Sequence, residues 1–176
     1  MSNNVESAGN QQERFLMQLE PNYVVGVVDG EGYFSVQVRR RRLIDGYYAH
    51  AVDFVFGVQL RQEDKEILLK LRSFFRCGKL CFKPSRKANW TPCYEFRVTS
   101  RCDLRQWIVP FFEKYQLKFP SKRQSFQRFC ELLGYVERKE HLSESGLARA
   151  RDLAQMVHQV LRKSSETTRQ APVIAG

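Results

Sequence analysis

The stretch Val24-Val25-Gly26-Val27-Val28-Asp29-Gly30-Glu31-Gly32 constrains this chain more than any other. It is an apolar helical run that ends in two acids one glycine apart. A helix C-terminus already carries partial negative charge, so a carboxylate there is unfavourable unless a cation answers it. Such an end attracts cations. Gly26 and Gly30 are four residues apart and share one helix face. A face without side chains lets another helix backbone approach, so close helix packing is expected there.

Length and charge narrow the partner. The 176 residues are enough for one domain with a real core, and 43% hydrophobic and 12% aromatic content excludes a disordered basic tail. Lys and Arg total 29 against 19 acids, a net charge of +10. That surplus favours nucleic acid, whose phosphates release counterions when cations bind. Residues 1–13 are polar, lack the apolar segment of a secretory signal and are expected to form a disordered arm. No apolar run approaches the length of a membrane span. The five cysteines, Cys77, Cys81, Cys93, Cys102 and Cys130, are odd in number and contain no Cys-x-x-Cys pair. Free thiols in a reduced intracellular compartment, cytoplasmic or organellar, are the expectation. His50, His141 and His158 form no ligand or base constellation.

The pattern along the chain gives an order of elements. A first helix begins near Pro21, a residue suited to a first helical turn. Phe34, Val36 and Val38 then alternate with Tyr33, Ser35, Gln37 and Arg39, the period of a half-buried strand. The run Arg39 to Arg42 follows, and Asp45-Gly46 marks a turn. A second strand spans about Tyr48 to Leu60, with Phe54, Phe56, Val58 and Leu60 on its apolar face. A helix from about Gln62 to Arg76 carries the stripe Ile67, Leu68, Leu71, Phe74 and Phe75 and stops at Gly78. Strands are expected near Lys79–Lys83 and Tyr94–Thr99, joined by a basic loop, Pro84–Pro92. Helical segments follow near Arg101–Glu113, broken by Pro110, from Ser121 to about Val136, and from about Ser143 to Leu161. Ser121 and Gln124 match a capping box for the second of these. The class is α+β, an αββαββα unit with additional C-terminal helices.

The run Gly26-Val27-Val28-Asp29-Gly30-Glu31-Gly32 resembles the LAGLIDADG motif of homing endonucleases. The element order is similar to that family's fold, built on a saddle-shaped antiparallel sheet. The resemblance covers nearly the whole chain from about Leu19. Pro110-Phe111-Phe112, Lys122-Arg123 and Ser165 to Arg169 add a likeness to single-motif, intron-encoded enzymes of ribosomal RNA genes. Val24 and Val25 replace the usual Leu and Ala, and Glu31 stands where many relatives carry Asp. The expected organisation is an arm at 1–13, one endonuclease domain at 14–163 and a tail at 164–176.

The resemblance implies a site-specific double-strand DNA homing endonuclease that promotes intron mobility at a long pseudo-palindromic target. It implies a homodimer, because the motif occurs once, with Val25, Gly26, Asp29 and Gly30 at the interface between motif helices. It makes Glu31 the metal-binding carboxylate, joined by the Gly32 carbonyl, for Mg²⁺ or another divalent cation such as Mn²⁺. Asp29 would support the helix end. Gln62 would organise solvent, and Lys122 would polarise water or stabilise the pentavalent state, with Lys118 and Arg123 as neighbouring cations. The sheet would supply major-groove readers. These are Ser35, Gln37, Arg39 and Arg41 from the first strand, Asp53, Gln59 and Arg61 from the second, and Lys83, Glu95 and Arg97 from the later ones. Arg86, Lys87, Arg162 and Lys163 would contact phosphates. An intron RNA-binding maturase and a non-cleaving DNA-binding regulator are the alternatives.

Overall fold

Alternation after Gly32 produces strand β1 (Gly32–Arg42), which continues through all four arginines rather than stopping before them. It can do so because β2 (Tyr48–Arg61) pairs with it along its full length, from Gly32 opposite Val58 to Arg42 opposite Tyr48. The structure, a computed structural model, describes residues 19–42, 44–85 and 91–169, except the side chains of Tyr48 and residues 159–169. The expected arm at 1–13 and the phosphate contacts Arg86 and Lys87 lie outside the described residues, as do the side chains of Arg162 and Lys163. The tight turn before β2 is as expected: Gly46 has φ 85°, and the Tyr47 N–H donates to the Asp45 side chain at 3.1 Å.

Strands β3 (Lys79–Lys83) and β4 (Cys93–Val98) complete an antiparallel sheet of order β1-β2-β4-β3. Helix α1 (Pro21–Glu31) precedes it. After β2, a single 3-10 turn (Gln62–Asp64) leads into α2 (Lys65–Phe75). The helical run α3 comprises Arg101–Asp103, a π segment Leu104–Ile108 and Val109–Lys114. Pro110 does not break it. Pro110 sits in the first turn after the wider π segment, where its missing N–H is tolerated. Helix α4 (Pro120–Glu137) and helix α5 (Glu144–Arg169) follow, so the C-terminal Ser/Thr-rich stretch is helical past the expected boundary at 163.

Strand parity decides what the helices cover. Phe34, Val36, Phe54, Phe56, Val58, Phe96 and Val98 all belong to one face and lie in one core with side chains from α1 to α5. Phe34 is its hub, with ring centroids 5.3 Å from Phe56, 5.2 Å from Phe126 and 5.4 Å from Phe129. Such aromatic pairs add about 0.5–1.5 kcal/mol each beyond the area they bury. The opposite parity, running through Gln37, Asp53, Gln59 and Arg97, contributes nothing to this core. The result is an α+β layer pair with helices gathered on one face of an antiparallel sheet, as the sequence predicts.

Among the described residues no helix is long and apolar enough to cross a membrane. The cysteines are free thiols. Burial pushes the Cys130 thiol up to about 12 and the Cys77 thiol to about 11, with the carboxylates Glu113 and Asp103 adding to it, so both are inert at neutral pH.

Candidate active site

The acidic end of α1 separates its two acids completely. Glu31, the last helical residue, is exposed. Asp29 is 4% exposed and turned inward. Its carboxylate accepts the backbone N–H of Lys118 at 2.8 Å and of Phe119 at 3.3 Å. These N–H groups precede Pro120, at an end of α4 whose own N-cap residue, Phe119, supplies no capping side chain. The cap therefore comes from Asp29 rather than from the capping box expected at Ser121 and Gln124. A negative group at a helix N-terminus satisfies orphan donors and complements the dipole.

That cap fixes the start of α4 and with it Lys122. The Lys122 ammonium donates to the Gly32 carbonyl, the first residue of β1. Burial pushes the Lys122 ammonium below the usual lysine range, and the charges of Asp29 and Glu31 oppose that shift. Of the neighbouring cations, Arg123 is turned away and donates to the Leu117 carbonyl at 3.0 Å. Gln62, exposed in the 3-10 turn, lies at this same end of the sheet: β2 pairs its Val58 with Gly32 and runs on to Arg61. Glu31, Gly32 and Lys122 of the expected set thus gather where α1, β1 and α4 meet, while Gln62, four residues past Val58, donates its backbone N–H to the Pro92 carbonyl at 3.1 Å.

The expected interface set divides in two. Val25 is 2% exposed and, with Val24 and Val28, belongs to the chain's own core. Asp29 is consumed by the α4 cap. These two are corrected from interface to interior, because the apolar side of α1 faces the sheet. Gly26 and Gly30 are exposed, and a Cβ built on either meets nothing within 4 Å. With Tyr23, 47% exposed, they form the outward face of α1. The glycine face is therefore unpartnered among the described residues of one chain.

The helix-free side of the sheet carries the expected readers, and two of its side chains are already engaged with each other. The Arg39 guanidinium donates to the Asp53 carboxylate at 2.7 Å. Glu95 is the correction here. It is 3% exposed, so it presents no edge to a groove. The Tyr33 hydroxyl donates to one of its oxygens, and the Lys83 ammonium lies 3.1 Å from the other. Burial raises the Tyr33 hydroxyl well above the ordinary tyrosine value, and the hydrogen bond to Glu95 raises it further. A buried carboxylate persists only when paired in this way. Ser35 is half-buried, while Gln37, Arg41, Gln59 and Arg61 are exposed.

Gly57 makes the Tyr33–Glu95 contact possible, a role that strand alternation alone does not assign. In the register, Tyr33 lies opposite Gly57, and Gly57 lies opposite Arg97 on β4. The Tyr33 ring crosses β2 over Gly57 to reach Glu95. A Cβ on Gly57 would sit 2.5 Å from a ring carbon. The available signal was a glycine inside an otherwise apolar strand, which marks a close approach.

Residues 24–133 match the family model described as LAGLIDADG endonuclease. This chain belongs to that family. The LAGLIDADG assignment accords with the relatives. The probable intron-encoded endonuclease 2 of Neurospora crassa is 31% identical over 126 residues, covering 72% of this chain and 25% of that protein. An uncharacterized 50.9 kDa protein in ND4 intron 1 of Podospora anserina is 26% identical over 129 residues, covering 73% and 27%. The chain thus spans about a quarter of the length of these curated relatives. The crystal structure of the homing endonuclease I-TnaI superposes with a TM-score of 0.66 and 33% identity, covering 83% of this chain and 98% of that one. I-SmaMI bound to an uncleaved DNA target with calcium ions gives a TM-score of 0.67 at 30% identity, over 81% of this chain and 46% of that one. LAGLIDADG architecture therefore accounts for both the element order and the position of the acidic helix end.

Proposed function

We propose that this chain is a site-specific, divalent-metal-dependent double-strand DNA endonuclease that works as a homodimer and serves intron mobility. The observation that carries the reading is the exposed Glu31 beside the Gly32 carbonyl and Lys122, at the end of a helix whose glycine face is open. Cutting two strands needs two such sites, and one chain holds one. Helix α1 of a second copy laid along Gly26 and Gly30 would bring two Glu31 side chains to one axis, matching a nearly palindromic target.

The donor set fits a hard cation. Glu31 and the Gly32 carbonyl offer only oxygen, and among the described residues no group of three or more His, Cys, Asp and Glu side chains could hold a metal. Few protein oxygens with water and substrate phosphates completing the shell is the habit of Mg²⁺, and Mn²⁺ shares it. When bound, such an ion activates water and stabilises the charge that develops on the transferring phosphate. Glu31 holds the cation and shapes its position. Lys122 is kept at the site by the Gly32 carbonyl. One of its three N–H bonds is used there, leaving two for a phosphate oxygen or a water. Gln62 organises solvent around the scissile bond. Water would attack phosphorus in line, losing a proton to solvent, as the opposite P–O bond breaks and its ester oxygen takes a proton from solvent.

Recognition belongs to the open sheet face. Gln37, Arg41, Gln59 and Arg61 read base edges, while Arg39 does so by exchanging Asp53 for a base or phosphate. A wide major groove suits this surface; the deep, narrow major groove of duplex RNA does not. I-SmaMI, a neighbour solved on DNA, supports the same choice. Selection of cleaved products from a randomised duplex library, with Mg²⁺ or with EDTA, tests the reading. One recurring sequence cut on both strands only with metal is the expected result. Binding of intron RNA without any cleavage would replace it with a splicing role.

A further inference from the structure

Strand β4 pairs with β2 only from Phe56 to Arg61, whereas β1 pairs with β2 back to Tyr48. The β2 edge from Tyr48 to Val55 therefore has no strand beside it among the described residues. A basin of about 530 Å³ opens along this edge. Four arginines line it, Arg39, Arg41, Arg97 and Arg101, together with His50 and His141; Asp53 is its carboxylate. Arg39 and Arg41 belong to β1 far from Glu31, and the seven steps from Gly32 to Arg39 span roughly 23 Å. Arg101 and His141 stand off the sheet, at the start of α3 and in the turn before α5.

Two features mark the basin as made for an anion. The ion pairs among the described residues engage Arg39 but not Arg41, Arg97 or Arg101. In addition, the Arg97 Nε and His141 Nδ1 are buried without a hydrogen-bond partner. Buried polar atoms are rarely left so, because each costs the desolvation it never recovers. Burial pushes the His141 imidazolium down, and the Arg101 charge lowers it further. An apolar ligand is a poor match for such a lining.

We infer that this basin is a phosphate clamp, which takes a backbone phosphate of duplex DNA beyond the outer end of the recognition strands, with Arg101 and His141 as its members off the sheet. The inference rests on the nucleic-acid reading above. A guanidinium fork suits phosphate, and a phosphate contact fixes register without reading sequence. The clamp would anchor each end of the footprint while Gln37 and Gln59 read bases beside it.

Because the contact is independent of sequence, its test needs no known target. The full chain binds a labelled duplex of arbitrary sequence across a salt series, as wild type, Arg101→Ala, His141→Ala and, as a distant control, Arg128→Ala. Arg101→Ala should weaken binding to every duplex alike and reduce the slope of log K against log salt by about 1. His141→Ala should weaken it in the same direction, and Arg128→Ala should leave the slope unchanged. Wild-type binding with unaltered affinity and slope in Arg101→Ala overturns the clamp while leaving the nucleic-acid reading intact. A second arm titrates inorganic phosphate and follows the His141 ring by NMR. A shift lost in Arg101→Ala, alongside the duplex effect, supports the clamp; the duplex effect alone supports it with DNA as the only source. A phosphate shift without duplex binding assigns the basin to a free anion and overturns both the clamp and the nuclease reading.

Discussion

Asp29 accepts the backbone N–H of Lys118 at 2.8 Å, tying the end of α1 to the start of α4 across 89 residues of sequence. This contact holds Lys122 on the Gly32 carbonyl, so it links stability to the site. Asp29→Ala should cost about 1–2 kcal/mol in chemical denaturation, the range for losing a helix cap. Cleavage should fall further than that destabilisation explains, with duplex binding nearly kept. Equal losses of binding and cleavage would make Asp29 purely structural.

Lys122→Ala leaves the Gly32 carbonyl without its ammonium and the transition state without a preorganised cation. Its cleavage rate should drop roughly 10²–10³-fold, the scale of removing one such electrostatic partner. Duplex affinity should change far less, because Lys122 is half-buried at the helix start. Single-turnover rates at saturating enzyme separate the two effects.

Tyr33, Gly57 and Glu95 form one unit across three strands. Gly57→Ala must push the Tyr33 ring aside and should destabilise by about 1–3 kcal/mol. Tyr33→Phe keeps the ring but removes the hydroxyl donor, at a cost of about 1–3 kcal/mol for a buried acceptor left wanting. The pH dependence has a definite sign. Because the folded value is raised, the Tyr33 contribution is complete below the ordinary tyrosine value of 10.0 and is lost as pH climbs above it. Denaturation curves at rising alkaline pH should therefore fall faster for wild type than for Tyr33→Phe. Parallel curves would mean that the Tyr33 hydroxyl does not stabilise the fold.

Gly26→Leu tests the open helix face. Nothing lies within 4 Å of a Cβ at Gly26, so the single chain accepts the side chain and gains about 0.5–1 kcal/mol of helix propensity. The same side chain would hold two α1 helices apart. Sedimentation equilibrium should show the wild type as a dimer and Gly26→Leu as a monomer. A Gly26→Leu dimer would place the interface elsewhere.

The elements were legible because each is a local pattern. Period two marked β1 and β2, and the stripe from Ile67 to Phe75 marked α2. The outward glycines of α1 were legible for the same reason, since helix periodicity puts Gly26 and Gly30 on one face. What escaped local reading was tertiary. Periodicity alone leaves Val25 free for a partner, but the apolar side of α1 is taken up by the chain's own core. Glu95 shared parity with the readers, yet a tyrosine two strands away claims it. Local pattern assigns the start of α4 to a capping box at Ser121 and Gln124, whereas Asp29 supplies the cap from another helix. Lys122 was legible only through the family resemblance, since nothing in its own neighbourhood separates it from Lys118 or Arg123.

Glu31 is assigned chemistry rather than recognition. Wild type and Glu31→Gln, which differ by one charge at an exposed helix end, should be compared on the selected target with Mg²⁺, measuring duplex binding and cleavage of each strand. Glu31→Gln should bind as tightly as wild type and cut neither strand. A Glu31→Gln protein that still cuts both strands at the wild-type rate would contradict that assignment.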